Sequence, residues 1–265
     1  MLPAAETLRS GNPEDALAQL QEQVRKNPAN SQYRVFLFQL LAVLGHWDRA
    51  LNQLKVLGDM DASTLAMVAT YREALHCEAY RQDVLAGKRT PLVLGDPEPW
   101  MALSFEALRL QGEGQWDKAA EVRAQALEQA PTTAGKLNGE PFAWIADADS
   151  RLGPMLEAIV SGKYYWIPFS RLRSLQIDPP SDLRDIVWTA AQVTFANGGE
   201  TITLLPTRYA GSEQDPDNRI KMARITEWDE KPGQTYLGRG QRLLATDQGE
   251  YALMDVRSLE LETAV

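Results

Sequence analysis

"GHWDRA" occupies residues 45–50, and "GQWDKA" recurs at residues 114–119. Either a functional site is used twice, or this is the corner of a unit that the chain repeats. Spacing settles the choice. Gly11 to Gly45 is 34 residues, and Gly45 to Gly114 is 69, one residue more than two such periods. Ala16, Ala50 and Ala119 each follow their glycine by five residues; Trp47 and Trp116 follow by two, and Pro28 and Pro131 by 17. A period of about 34 residues carrying Gly, an aromatic, a small Ala and a closing Pro marks the tetratricopeptide helix–turn–helix. Glycine accepts the positive φ that ends the first helix, alanine lets two helices approach, and proline stops the second helix.

Working outward, Tyr33, Phe36, Leu37, Leu40, Leu41 and Leu44 form a continuous helical stripe. Leu51 and Leu54, then Leu65, Val68, Leu75 and Ala79, extend it, and Trp100, Leu103, Ala107 and Leu110 open the helix before the second "GQWDKA". Residues 79–98 show no repeat marker, and "GKRTPLVLGDPEP" reads as a loop. The helical pattern stops near "TTAGKLNGEP". Beyond it the sequence predicts a short helix over 153–161, with Pro154 in its first turn and Gly162 past its end. "KYYWIPF" (163–169) predicts a strand, and residues 185–206 predict strand, turn and strand around Asn197, Gly198 and Gly199. "QRLLAT" and "YALMDVRSLEL" predict further strands, "GRGQ" (238–241) a turn, and "YAGSEQDPDNRIKM" and "TEWDEKPGQ" polar loops. The expected fold class is α+β: a tetratricopeptide-like helical repeat region, residues 1–137, followed by a smaller, mostly β domain, residues 138–265, shaped as a compact barrel or curved sheet.

The bulk composition of the 265 residues is 44% hydrophobic and 24% charged, ordinary for a globular protein. A formal net charge of −9 argues against nucleic acid or an anionic membrane as partner. No apolar run reaches the roughly 18 residues of a membrane span. "MLPAAETLRSG" lacks the pattern of a signal peptide. Cys77 is the single cysteine, so no intrachain disulfide is expected and a cytoplasmic location fits.

Chemistry is sparse. Asp147, Asp149, Arg151 and Glu157 form the densest polar cluster. One reading makes Asp147 and Asp149 metal ligands of a hydrolase, with Arg151 on a phosphate. The remaining oxygen ligands and central glycine of a calcium loop are missing, so the favoured reading has one aspartate capping the following helix and Arg151 pairing with a carboxylate. His46 and His76 are the two histidines; Cys77 adjoins His76, but sequence neighbours on a helix point apart. No phosphate-binding loop or nucleophile elbow occurs. The expectation is a non-enzyme with no catalytic residues, no cofactor and no metal.

"FAWIADADSRLGPMLEAIVSGKYYWIPF", then "DLRDIVW", "LLPTRYAGS", "RITEWDE" and "GRGQRLL" in that order, resemble the ImpE family, also called SciE or TagJ. The resemblance runs over nearly the whole chain. It implies an accessory protein of the bacterial type VI secretion system that partners the small subunit of the contractile sheath. It also implies a link to the AAA+ ATPase that disassembles the contracted sheath. The family supplies no catalytic residues to carry over. A helical repeat offers a concave face to a helix or extended peptide. In tetratricopeptide register that face includes Gln32, Val35, Gln39 and Val43, and later Met101 and Leu108. The rivals are a general tetratricopeptide scaffold outside secretion and the hydrolase. A rival placement packs these groove positions against the β domain.

Overall fold

The computed structural model describes residues 3–263. Seven helices fill the amino-terminal half of this span: α1 (Pro3–Arg9), α2 (Pro13–Lys26), α3 (Ser31–Val43), α4 (Trp47–Met60), α5 (Leu65–Leu85), α6 (Pro99–Gly112) and α7 (Trp116–Gln129). The marker glycines join α1 to α2, α3 to α4 and α6 to α7. Gly11, Gly45 and Gly114 take φ of +94°, +71° and +78°. Each sits in the same double hydrogen-bonded stop: Gly45 N–H donates to Ala42 O (3.1 Å) and His46 N–H to Leu41 O (2.8 Å), as Gly114 does to Gln111 O (3.0 Å) and Gln115 to Leu110 O (2.9 Å). Ala16, Ala50 and Ala119 are fully buried where the paired helices meet. Asn12 and Asn30 cap α2 and α3 by accepting from Asp15 N–H and Tyr33 N–H.

One marker absent from the sequence pattern is present in the fold. α5 runs 21 residues because nothing between Leu65 and Leu85 is a Gly or Pro. It ends in the same stop at Gly87, whose N–H reaches Val84 O at 2.9 Å. The register is late, and no partner helix follows. Residues 88–98 instead carry β1 (Leu92–Val93), which pairs in parallel with Tyr165 and Trp166.

The carboxyl-terminal half is sheet. Its strands are β2 (Gly135–Leu137), β3 (Glu140–Phe142), β4 (Ile145–Asp147), β5 (Met155–Val160), β6 (Lys163–Pro168), β7 (Leu172–Ile177), β8 (Trp188–Phe195), β9 (Glu200–Pro206), β10 (Thr226–Lys231), β11 (Thr235–Gly240), β12 (Leu243–Thr246), β13 (Gly249–Ala252) and β14 (Ser258–Leu261). A single-turn helix, α8 (Asn218–Lys221), interrupts the polar stretch before β10. The main sheet has nine strands in the order β1-β6-β5-β9-β8-β7-β14-β2-β3. β13-β12-β4 form a second sheet, and β10-β11 a hairpin.

Three expectations differ from the fold: in the first, "GRGQ" is no turn, since Gly238 to Gly240 pair within strand β11. The predicted helix over 153–161 is strand β5, antiparallel to β6. Met155 and Ile159 join the core shared with the helices, while Leu156 and Ala158 join the core on the opposite face. A strand covered on both faces reads as an unbroken apolar run, which periodicity alone does not separate from a helix. "TEWDEKPGQ" is no loop but the first strand and turn of the β10–β11 hairpin. The shared core runs from Ala4 and Leu8 through Trp166, Trp188 and Leu204 to Met222. Set against the expected division at 137/138, β2 already lies in the sheet, and this core continues from one half into the other.

Candidate docking groove and the ion network beside it

The six groove positions expected from the repeat register separate into two groups. Gln32, Val35 and Gln39 lie together on α3 and line an open groove of about 850 Å³. Its other walls are Ala5, Leu8 and Arg9 of α1, Asp61, Ser63 and Thr64 at the α4–α5 junction, and Ser181 to Leu183. Val43, Met101 and Leu108 are not on it. They are 0%, 0% and 4% exposed, enclosed in the shared core. For these three the packed placement against the rest of the chain holds, and they are withdrawn as surface candidates. Gln39 is the informative member. It is 5% exposed and lines the groove, and among the described residues its side-chain amide makes no hydrogen bond.

Sequence reasoning missed what fills the rest of the concave face: the chain's own residues 181–188. Asp182 and Asp185 form a reciprocal capping box around the 3₁₀ turn Leu183–Ile186. Leu183 and Ile186 pack on the helical core. The Arg184 guanidinium lies 4.8 Å from the centre of the Tyr71 ring. Trp188 packs against Tyr71 and against Trp47 of the repeat motif, with ring centres 5.9 Å and 6.1 Å apart. The segment narrows the concave face to the stretch beside α1.

Behind this face, helices and sheet are joined by buried charges. Arg81 on α5 donates to both carboxylate oxygens of Glu157 on β5, at 2.8 Å and 3.1 Å. Arg242 donates to Asp147 Oδ2 at 2.5 Å and also to Glu157. Tyr164 donates its hydroxyl proton to Glu157 and accepts from the Trp166 indole at 2.6 Å. Trp188 donates to Glu78 at 2.7 Å. Arg208 places its guanidinium on the end of α3, donating to Val43 O at 2.7 Å and Ala42 O at 3.1 Å, where a helix leaves carbonyls unpaired.

Asp147 and Asp149 belong to this network. Neither caps a helix. Asp147 Oδ1 accepts from Asp149 N–H (2.9 Å) and the Tyr209 hydroxyl (3.2 Å). Asp149 accepts from Arg151 through both oxygens and from Gly238 N–H (2.8 Å), so the expected Arg151–carboxylate pair is present. Their lone pairs point at guanidinium and amide donors rather than converging on a shared point. Among the described residues no group of three or more His, Cys, Asp and Glu forms a metal-holding cluster. Cys77 is buried, and desolvation pushes its thiol up to about 12, far from a thiolate nucleophile.

The two central carboxyls are driven in opposite directions. Burial raises Asp147 to about 6 against the pull of Arg242. For Glu157 burial also raises the pKa, but Arg242 and Arg81 outweigh it and hold the carboxyl far below its usual range. A carboxyl raised on folding binds its proton more tightly in the folded state. The stability that Asp147 contributes is therefore complete below about pH 4 and lost as pH rises through about 6. Glu157 contributes in the reverse sense, losing stability only in acid. Asp147→Asn, which does not titrate, should thus gain on the parent between pH 4 and about 6.5 and run parallel to it above. Urea midpoints across that window read the effect, and parallel curves throughout would count against it.

The profile of the family described as ImpE protein matches residues 139–260. Across 259 residues, 98% of this chain and 91% of the other, the sequence is 52% identical to the type VI secretion system accessory component TagJ of Pseudomonas aeruginosa. The chain belongs to the ImpE family. The crystal structure of a Vibrio parahaemolyticus protein shares the ImpE fold of this chain from end to end, with a TM-score of 0.89 at 22% identity, covering 99% of this chain and 98% of that one.

The stretches that resemble ImpE are the ones that build the network. "WIADADSRLGPMLE" supplies Asp147, Asp149, Arg151 and Glu157; "LLPTRYAGS" supplies Arg208 and Tyr209; "GRGQRLL" supplies Gly238 and Arg242; "DLRDIVW" supplies the turn in the concave face. Most of the ImpE motifs thus hold the architecture, while Asp182 and Leu183 of "DLRDIVW" also form one wall of the groove. Gly238 shows how tightly. A Cβ there would lie 2.3 Å from carbons of the Tyr209 ring, and that ring is pinned through its hydroxyl to Asp147 and to Leu243 O. Gly238→Ala should cost about 1–3 kcal/mol, the usual penalty for overpacking, readable as a lower urea midpoint with unchanged slope.

Proposed function

We propose that this chain is a non-enzymatic adaptor of the type VI secretion system, acting in the cytoplasm. In this reading the groove of Gln32, Val35 and Gln39 holds an amphipathic helix of the small contractile-sheath subunit. Through that contact the chain is linked to the AAA+ ATPase that recycles the sheath. The observation that carries the proposal is the 52% identity, over nearly its full length, to a protein named as an accessory component of that system. The groove adds a physical reason. Val35, Leu8 and Phe36 offer apolar contact, and the Gln39 amide offers hydrogen bonds that no described residue of the chain takes up. An apolar strip of this kind, flanked here by polar residues such as Gln32, Asp61 and Asp182, is what an amphipathic helix can lay its apolar face on. A general scaffold outside secretion would not account for that near full-length identity.

The test is affinity capture with the tagged chain from a lysate of a bacterium carrying an active type VI system, read by mass spectrometry. The small sheath subunit should be enriched well above a tagged control. Recovery of the sheath ATPase without that subunit, or of neither, contradicts the proposal.

A further inference from the structure

At the opposite end of the helical half, α6 and α7 meet the loop between β4 and β5. There they leave a narrow crevice of about 10 Å³, lined by Ser104, Gln111, Arg123, Leu127, Ser150 and Arg151, among others. That is room for about one water-sized group. Its polar walls are only partly matched from within the chain: Ser104 donates to Trp100 O and Ser150 accepts from Tyr236 N–H, while among the described residues other donors stay free. Gln111 is 8% exposed, and among the described residues its side-chain amide has no partner. Arg123, half-buried, makes no ion pair among the described residues; its guanidinium donates only to the Thr235 hydroxyl, at 3.0 Å and 3.2 Å. Arg151 spends Nε and Nη2 on Asp149, leaving Nη1 uncommitted. Two cations therefore share one carboxylate, Asp149, which also serves Gly238 N–H. A half-buried guanidinium that shares its counter-charge with a second cation is incompletely compensated, and burial lowers the Arg123 pKa despite the field of Asp149.

We infer that this crevice is a receptor for a single carboxylate, supplied by an acidic residue or the carboxyl terminus of a bound peptide. One carboxylate oxygen fits the narrow space, and the guanidiniums and the Gln111 amide supply donors without acceptors of their own. Leu127, 51% exposed at the mouth, gives the aliphatic stem of the incoming residue an apolar surface. The site lies apart from the α1–α3 groove, shares no residue with it, and stands or falls independently of the adaptor reading.

The test is NMR titration of the full chain with sodium acetate at constant ionic strength, following the Arg123 Nε–H and Gln111 side-chain amide signals. Two short peptides follow, one with an internal glutamate and an amidated end, one with no acidic side chain and a free carboxyl end. Saturable shifts of both signals at millimolar acetate are expected, weakened at least tenfold in Arg123→Gln and several-fold in Gln111→Leu. The peptide that competes names the source of the carboxylate. Should Arg123→Gln fail to fold, Gln111→Leu decides. Shifts that rise linearly without saturating, or that persist unchanged in the folded variant, overturn the inference.

Discussion

Arg242→Ala should lower the folding free energy by about 3–5 kcal/mol, the range for removing one partner of a buried ion pair. The side chains of Arg242, Asp147 and Glu157 are 1%, 0% and 0% exposed, so no water replaces the lost guanidinium. Glu157 keeps Arg81, but Asp147 loses its only cation within bonding distance and Pro206 O loses the Arg242 Nε donor. The melting temperature should fall by on the order of 10 °C. Asp147→Ala added to Arg242→Ala should cost less than the sum of the two changes, because the first has already broken the shared bond. Urea unfolding of the four proteins in the cycle measures both statements. A loss below about 1 kcal/mol for Arg242→Ala, the size of an exposed pair, would show that the network does not hold the halves together.

Val35→Glu should weaken binding of the small sheath subunit at least tenfold, about 1.4 kcal/mol, with an unchanged far-ultraviolet circular dichroism spectrum. Val35 is only partly buried and packs on the edge of the core, so a glutamate there can turn into the groove without emptying the interior. Once a partner helix covers it, the new carboxylate is desolvated where the parent offers an apolar contact, which is costly at an interface. Gln32→Trp, at an exposed position on the same wall, should act by steric block and give a similar loss. Leu108→Glu does not serve as a groove test. Leu108 lies in the core, and the charge would unfold the chain instead of probing the surface.

The helical half was legible because its turns are written in residues with one job each. Only glycine takes the left-handed turn easily, and only a small residue fits where Ala16, Ala50 and Ala119 sit. α5 escaped the register because a helix with no internal stop signal runs until tertiary contacts end it. β5 was misread because both faces of its strand are covered, which erases the alternation that marks a strand. The groove was half legible. Repeat geometry assigns Gln32, Val35 and Gln39 to one face of α3, and all three line the open groove, but it carries no information about where a later part of the chain lies. Burial of Val43 beneath Arg208, and occupation of the neighbouring face by Leu183 to Ile186, depend on contacts more than a hundred residues apart. Arg81 and Glu157, 76 residues apart in sequence, are likewise brought together only by the fold.

The central claim is that the ImpE motifs lock a helical repeat onto a sheet so that the α1–α3 groove stays open for another polypeptide. Hydrogen–deuterium exchange of the chain, with and without the purified small sheath subunit, tests it most directly. Slowed exchange confined to α1, the first turns of α3 and residues 61–64 and 181–183 is the predicted result. Protection centred on the β10–β11 hairpin or the α6–α7 pair, with those segments unchanged, would contradict it.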